Sequence, residues 1–480
     1  MRRRYVAPND RAVGWYLGRT QRSRGHLALP ADDEDSLTSK HVPASLHFAN
    51  MSYTVAGRQV LVDASGSVRA GEVMAVIGAS GAGKSSLLDL LGRRAKRGVS
   101  SCTVSVNGRP VTDESIYRRL VGFVDQEDTL MGTLTVYETV LNSALLRLPR
   151  DMSYEAKRLR TLETMQELGL LGIRDSRIGE AGRRALSGGE KRRVSIACEL
   201  VTSPSILYLD EPTSGLDAYN AHNVVETLVA LARDYQRTVV MTIHQPRSDI
   251  VALFDRLVVL AQGRTVYSGA ARSCAEYFAA HDHPCPPGYN LADFLIDLTM
   301  EDVQAATAAR RDADHAPSNR DAELGNGGPK ANGHDGKPTE SWVSRLTSSR
   351  PSSPTPPALG PAVRSLVDAF AASEEAQALR DPTATVQGEA ELPAAAVRGY
   401  RRASWGTQLA ILSGRSFKNL YRNPMLMLTH YAISILFAII CGFLFRDVTC
   451  VRCSAAPLTS QERHCRLPEP VRSHAAPSGS

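Results

Sequence analysis

Charge of one sign is nowhere concentrated in this 480-residue chain. Its 56 basic and 50 acidic residues leave a formal net charge of +6 that is spread through the whole length. That is too diffuse for the basic stripe a nucleic-acid binder presents, so no nucleic acid is expected as a partner. Arg2 to Arg4 form a short basic run, but no apolar h-region follows it, and a secretory signal is not readable there. Cysteine is sparse. Cys102, Cys198, Cys274 and Cys285 are scattered, and Cys450, Cys453 and Cys465 with His464 offer one C-x-x-C without a second pair, a weak signal for zinc. Long apolar runs are also missing until Met425. What the chain has instead is a set of glycine-rich and carboxylate motifs at informative spacing.

Gly78, Gly83, Lys84 and Ser85 fit G-x-x-x-x-G-K-[ST]. Val73 to Ile77 reads as a short buried strand before this stretch, and Leu87, Leu88 and Leu91 resume with helical spacing after it. Strand, loop and helix in that order are what a phosphate loop needs. Backbone N–H groups around Gly78, Ser80, Gly81, Gly83 and Ser86 curl about a β-phosphate, the Lys84 ammonium reaches the β- and γ-phosphates, and Ser85 Oγ is a ligand for Mg²⁺. Ile206 to Leu209 is a second buried strand, ending in Asp210 and Glu211. Carboxylates at the carboxyl end of a parallel strand face the nucleotide crevice, which suits Asp210 to hold Mg²⁺ and Glu211 to orient and deprotonate water. Thr238 to Ile243 supplies a third strand with His244 just beyond it, within reach of a γ-phosphate. Leu186 to Lys191, L-S-G-G-E-K, adds a second glycine-rich phosphate contact. These motifs predict an ATP-driven α/β domain with a mainly parallel sheet.

The order phosphate loop, Gln126, Ser187-Gly188-Gly189-Glu190, Asp210-Glu211, Ser214-Gly215-Leu216-Asp217, His244 resembles the ATPase domain of ABC transporters. Ile243 to Arg247, Asn290 to Leu295 and Arg422-Asn423-Pro424 are similar to the G subgroup, and Phe123 to Arg150 is similar to the fungal ATP-dependent permeases within it. The resemblance implies a P-loop NTPase fold with an inserted helical subdomain, and ATP and Mg²⁺ as cofactors. It implies that Gln126 senses the γ-phosphate and contacts the metal, that Glu211 is the catalytic base and that His244 is the switch. Ser187, Gly188, Gly189 and Glu190 would close on ATP held by the phosphate loop of a second ABC subunit, with Asp217 a contact across the dimer and Tyr53 stacking on adenine. None of these positions carries a disabling substitution.

The organisation expected along the chain is a flexible leader over 1–45 and the ATP-binding domain over 46–300, with Ser153 to Leu171 helical. A disordered linker follows over 301–397, rich in Ala, Asp, Gly, Ser and Pro, in which only Ser365 to Leu379 has helical character. Residues 398–424 read as a basic amphipathic connecting helix, with Trp405, Leu409, Leu412, Phe417 and Leu420 near one face. Residues 425–445 read as a transmembrane helix, and 446–480 as a polar tail with no further apolar run. Arg398, Arg401, Arg402, Arg415, Lys418 and Arg422 precede the span with no acidic residue among them, which puts the ATPase in the cytoplasm. His430 and Ser434 fall inside the span. A G-type transporter continues through several more membrane helices, so the sequence reads as an incomplete exporter of a lipophilic compound. The alternatives are a membrane-tethered ATPase that regulates a full-length partner by dimerising with it, and a soluble ABC ATPase of translation or DNA repair, which the apolar run disfavours.

Overall fold

The structure, a computed structural model, describes residues 42–94, 97–179, 185–300, 359–380 and 403–445. The expected leader, the polar tail with its cysteines, and linker residues 301–358 and 381–397 lie outside the described residues, apart from the leader's last four positions. The chain divides into two compact units, Met1–Asn419 and Leu420–Ser480.

In the first unit, strands β1 (Leu46–Val55), β2 (Arg58–Val68), β4 (Val99–Val106) and β5 (Arg109–Pro110) form one sheet in the order β2-β1-β4-β5. All of its pairings are antiparallel. The second sheet has the order β10-β9-β3-β8-β7-β6, from β3 (Val73–Gly78), β6 (Val121–Val124), β7 (Ile206–Leu209), β8 (Thr238–Thr242), β9 (Arg256–Ala261) and β10 (Arg264–Ala270). Its pairings are parallel except between β9 and β10. The α/β expectation is met, and the antiparallel sheet adds a layer that the motifs did not announce.

Side chains alternate across β3, so its apolar run serves two cores. Val73, Ala75 and Ile77 point into a core with Val124, Leu207, Leu209, Val239 and Met241 and the helices α5 (Gly188–Leu200) and α6 (Ala218–Tyr235). Met74 and Val76 point into the other, where α1 (Lys84–Leu91) contributes Leu87, Leu88, Leu90 and Leu91 and the antiparallel sheet contributes Leu46, Phe48 and Met51. Each such leucine taken out of water contributes about 1.5–3 kcal/mol, and α1, which carries Lys84 and Ser85, is anchored by four of them. The helical part between the sheets' sequence segments comprises α3 (Val136–Arg147), opened by a Thr135–Glu138 capping box, and α4 (Tyr154–Glu167), capped by Ser153. Arg147 pairs with Glu199 at 2.5 Å and so ties α3 to α5.

The expected disordered linker is corrected over 361–380. Two helices, α9 (Pro361–Ala372) and α10 (Glu374–Arg380), dock on the ATPase domain; α2 (Glu114–Leu120), α7 (Ser248–Val251) and α8 (Cys274–Ala280) complete the numbering before them. Val363 and Leu366 enter the core of the parallel sheet, and Phe370, Ala376 and Leu379 close a small cluster with Tyr277. Spacings of three and four put Val363, Leu366 and Phe370 on one face; the helical character read over Ser365 to Leu379 is present, and the docking is what the linker reading did not include. Arg380 pairs with Asp63 at 3.2 Å.

Helix α11 (Trp405–Arg422) keeps Trp405, Leu409, Leu412 and Phe417 exposed. It meets α3 and the segment before it through Lys418–Glu138 at 3.3 Å and Asn419–Thr133 at 2.7 Å. In the second unit, α12 (Pro424–Leu444) is apolar enough to cross a membrane by length and composition: Met427–Leu444 has a mean hydropathy of 2.0 and none of it is buried.

Candidate functional site

Strand order decides where the motifs meet. In the parallel sheet β8 lies between β3 and β7, and β6 lies beyond β7. The loop after β3 carries the phosphate-loop residues, the turn after β8 carries His244, the end of β7 carries Asp210 and Glu211, and the end of β6 leads to Gln126. Four carboxyl ends therefore open on one edge, where ligands of open α/β sheets bind.

The phosphate loop bends through Gly81 and Gly83, with φ of 79° and 99°, a region that glycine enters without a Cβ penalty. Gly78 has a second constraint: a Cβ there would lie 2.3 Å from the Leu260 carbonyl oxygen. Lys84, in the first turn of α1, is buried, and its Nζ donates to the carbonyls of Gly78 at 2.8 Å and Ala79 at 3.1 Å. Burial holds its ammonium below the usual lysine range, opposed by the nearby carboxylates of Glu211 and Asp210. The loop is thus folded around its own lysine, with the ammonium parked on backbone carbonyls. Ser80 and Ser86 lie at either end of the turn, exposed and half-buried respectively.

Ser85 Oγ donates to Asp210 Oδ1 at 3.1 Å, which joins helix α1 to the end of β7. Thr242, the last residue of β8, donates from Oγ1 to the same carboxylate oxygen at 2.6 Å and accepts the Glu211 N–H at 2.9 Å. Glu211 adopts φ of 42°, an uncommon conformation for a residue with a side chain, and Gln126 Nε2 donates to its Oε2 at 2.9 Å. Ser85, Asp210, Thr242, Glu211 and Gln126 make one continuous hydrogen-bonded chain. Its hydroxyl, carboxylate and amide oxygens are hard donors of the kind Mg²⁺ takes alongside phosphate oxygens. His244 stands exposed immediately beyond buried Ile243.

The remaining expected residues sit apart from that chain. Ser187 caps α5 in a reciprocal box with Glu190, at 3.2 Å from Ser187 Oγ to the Glu190 N–H and 2.8 Å from the Ser187 N–H to Glu190 Oε2. Gly188 and Gly189 are packed so closely against Leu216 and Asn220 that a Cβ would come within 2.7 Å and 3.0 Å of them. Asp217 caps α6 by accepting from the Asn220 N–H at 2.8 Å and its side-chain amide at 2.6 Å, and these bonds hold its carboxyl below the usual range. The exposed start of α5 and the start of α6 therefore form one surface on the same domain. Tyr53, on β1, donates its hydroxyl to the Arg97 carbonyl, and its ring edge lies against Gly98.

Two residues at the site were not singled out by the sequence reading. Thr242 is one polar residue at the end of an apolar strand, and nothing in its spacing marks it. Arg192 lies in the basic run Lys191-Arg192-Arg193, which reads as a solvated helix face, yet its side chain is buried.

Residues 61–214 match the family described as ABC transporter, and residues 244–324 one described as ABC-2 type transporter. A probable ATP-dependent permease of Saccharomyces cerevisiae is 40% identical over 479 residues, covering 89% of this chain and 44% of that protein. ATP-binding cassette sub-family G member 8 of Homo sapiens is 44% identical over 236 residues, covering 49% of this chain and 35% of that protein. ABC transporter G family member STR of Petunia hybrida is 42% identical over 277 residues, covering 55% and 33%. The chain spans less than half the length of these curated relatives. The likeness read from the motifs is borne out: the folded domain is an ABC transporter ATPase, and its relatives are G-family members and a fungal ATP-dependent permease.

Proposed function

We propose that this chain, with its ABC-transporter ATPase domain of G-family type, is the ATP-binding and hydrolysing part of an exporter that couples hydrolysis to movement of a lipophilic compound across a membrane. The observation that carries the reading is the chain from Ser85 through Asp210, Thr242 and Glu211 to Gln126. It aligns the groups that phosphoryl transfer to water requires, next to a buried lysine at the start of a helix. Ser85 Oγ, Asp210 and the amide oxygen of Gln126 would hold Mg²⁺, which would supply charge neutralisation at the phosphates.

Nucleotide binding gives Lys84 phosphate oxygens in place of the Gly78 and Ala79 carbonyls, an exchange of neutral for charge-assisted hydrogen bonds. Gln126, whose amide oxygen would be among the groups holding the metal, would then release Glu211. That release frees the Glu211 carboxylate to take a proton from the attacking water, while His244 holds the γ-phosphate. The Gln126–Glu211 bond sets the amide and the carboxylate side by side beyond the carboxyl ends of β6 and β7. The exposed start of α5, with Ser187, Gly188, Gly189 and Glu190, supplies N–H groups and a positive helix end for the γ-phosphate bound by a second ABC subunit, and Asp217 beside it joins that contact. Tyr53 offers its ring to adenine. Attached to α12, the ATPase domain lies on the cytoplasmic side of the membrane.

The test is Glu211→Gln in the full chain. Turnover of Mg-ATP is expected to fall at least ~100-fold, while ATP affinity stays at the parental value and nucleotide is retained in a paired species. Equal hydrolysis by variant and parent would remove Glu211 from the role of base.

A further inference from the structure

Helix α5 begins at the exposed cap Ser187 and carries, one turn further on, a charged side chain that is only 3% exposed, Arg192. Its Nη1 donates to the carbonyl oxygens of Asp125 at 2.5 Å and Gln126 at 3.1 Å and to Asp128 Oδ1 at 3.0 Å. Its Nη2 donates to the carbonyl oxygen of Asp210 at 2.8 Å. One guanidinium on α5 thus touches the backbone of the residue before Glu211 and the backbone of the glutamine bonded to Glu211.

Burying a guanidinium is costly unless it is paired and fully hydrogen-bonded, and among the described residues Arg192 Nε has no partner. A residue placed only to fill space would be apolar at lower cost. The planar fork also differs from an ammonium: its donors are fixed relative to each other, so a shift of α5 is passed to Gln126 and Asp210 together. Lys191 and Arg193, on either side, are half-buried.

We propose that Arg192 is a positioning residue that couples the outward face of α5 to the hydrolytic groups of its own domain. Engagement of Ser187 and Gly189 by nucleotide on a second subunit acts on α5, and Arg192 carries it to the Gln126 and Asp210 backbones, setting how Gln126 and Glu211 are presented to the nucleotide. The inference rests on the reading of Glu211 as the base and of α5 as the face that meets a second subunit.

The experiment compares parent, Glu211→Gln, Arg192→Lys, Asp128→Asn and the Arg192→Lys/Asp128→Asn double variant, all as the full chain. It measures kcat and KM for Mg-ATP, affinity for ATP without hydrolysis, and thermal unfolding. Lysine keeps the charge near Asp128 but has one nitrogen in place of the two from which Arg192 reaches the Asp125 and Gln126 carbonyls and the Asp210 carbonyl. Arg192→Lys is expected to lower kcat about tenfold with ATP affinity within about twofold of the parent. Asp128→Asn, which leaves the carbonyl bonds in place, is expected to lower kcat about threefold, and the double variant to fall short of the product of the two. If kcat is unchanged by Arg192→Lys while Glu211→Gln is inactive, the coupling role is wrong and the reading of the base stands. If kcat and ATP affinity fall together with the unfolding midpoint, Arg192 is a structural residue only. If parent and Glu211→Gln hydrolyse ATP alike, the underlying reading fails and this inference falls with it.

Discussion

One hydroxyl decides how the two acidic residues that follow β7 are presented. Thr242 Oγ1 has a single proton, given to Asp210, and accepts the Glu211 N–H, so it fixes a side chain and a backbone at once. Valine keeps the β-branched shape that suits a strand and removes both bonds, leaving a polar N–H short of a partner at a cost of about 1–3 kcal/mol. Thr242→Val is expected to leave ATP binding near the parental level and to lower turnover about tenfold, with a higher Mg²⁺ concentration needed for half-maximal rate. Titration of ATPase rate against Mg²⁺ checks it, and an unchanged curve would remove Thr242 from the alignment of Asp210. The juxtaposition of Lys84, Ser85, Asp210 and Glu211 could be read directly because they stand in motifs just beyond the ends of apolar strands. Thr242 and Arg192 could not, because a side chain that serves through hydrogen bonds to backbone leaves no period in the sequence.

At the level of elements, legibility followed burial pattern. The strands β3, β7 and β8 are buried on both faces and appear as short mostly apolar runs. Strand β1 is interrupted by register shifts between Phe48 and Met51 against β2 and between Ala49 and Ser52 against β4, and each shift breaks the alternation by which a half-buried strand is recognised. The antiparallel sheet was unreadable for that reason. The helices α9 and α10 were half legible: helical character over Ser365 to Leu379 could be read, but their docking on the domain could not, because the docked face is of few residues inside a composition typical of disorder. Their attachment is testable through Leu366, which is 1% exposed within the core of the parallel sheet. Leu366→Ala is expected to cost about 2–5 kcal/mol of stability, seen as a lower unfolding midpoint and as new proteolytic cuts near 359–380. If the midpoint is unchanged and no cut appears, these helices contribute nothing to the stability of the domain.

For the molecule as a whole, the two compact units differ in what they ask of solvent. The first buries its apolar side chains in two sheet-centred cores. In the second, Leu428, Ile435, Leu436, Phe437, Ile439 and Phe443 are uncovered around a single 21-residue helix. A helix of that length extends about 32 Å, at 1.5 Å per residue, close to the ~30 Å of a bilayer's hydrocarbon core. Leaving this surface in water would cost far more than placing it in lipid, because each buried leucine-sized side chain is worth about 1.5–3 kcal/mol. The full chain is therefore expected to remain in the membrane pellet after an alkaline carbonate wash. Replacing Leu436 and Ile439 by arginine puts two charges near the middle of the span, at about 2.5–3.5 kcal/mol each, and is expected to release the chain to the supernatant while the ATPase rate of the folded domain persists. Recovery of the parent chain in the wash would show that α12 does not span the bilayer.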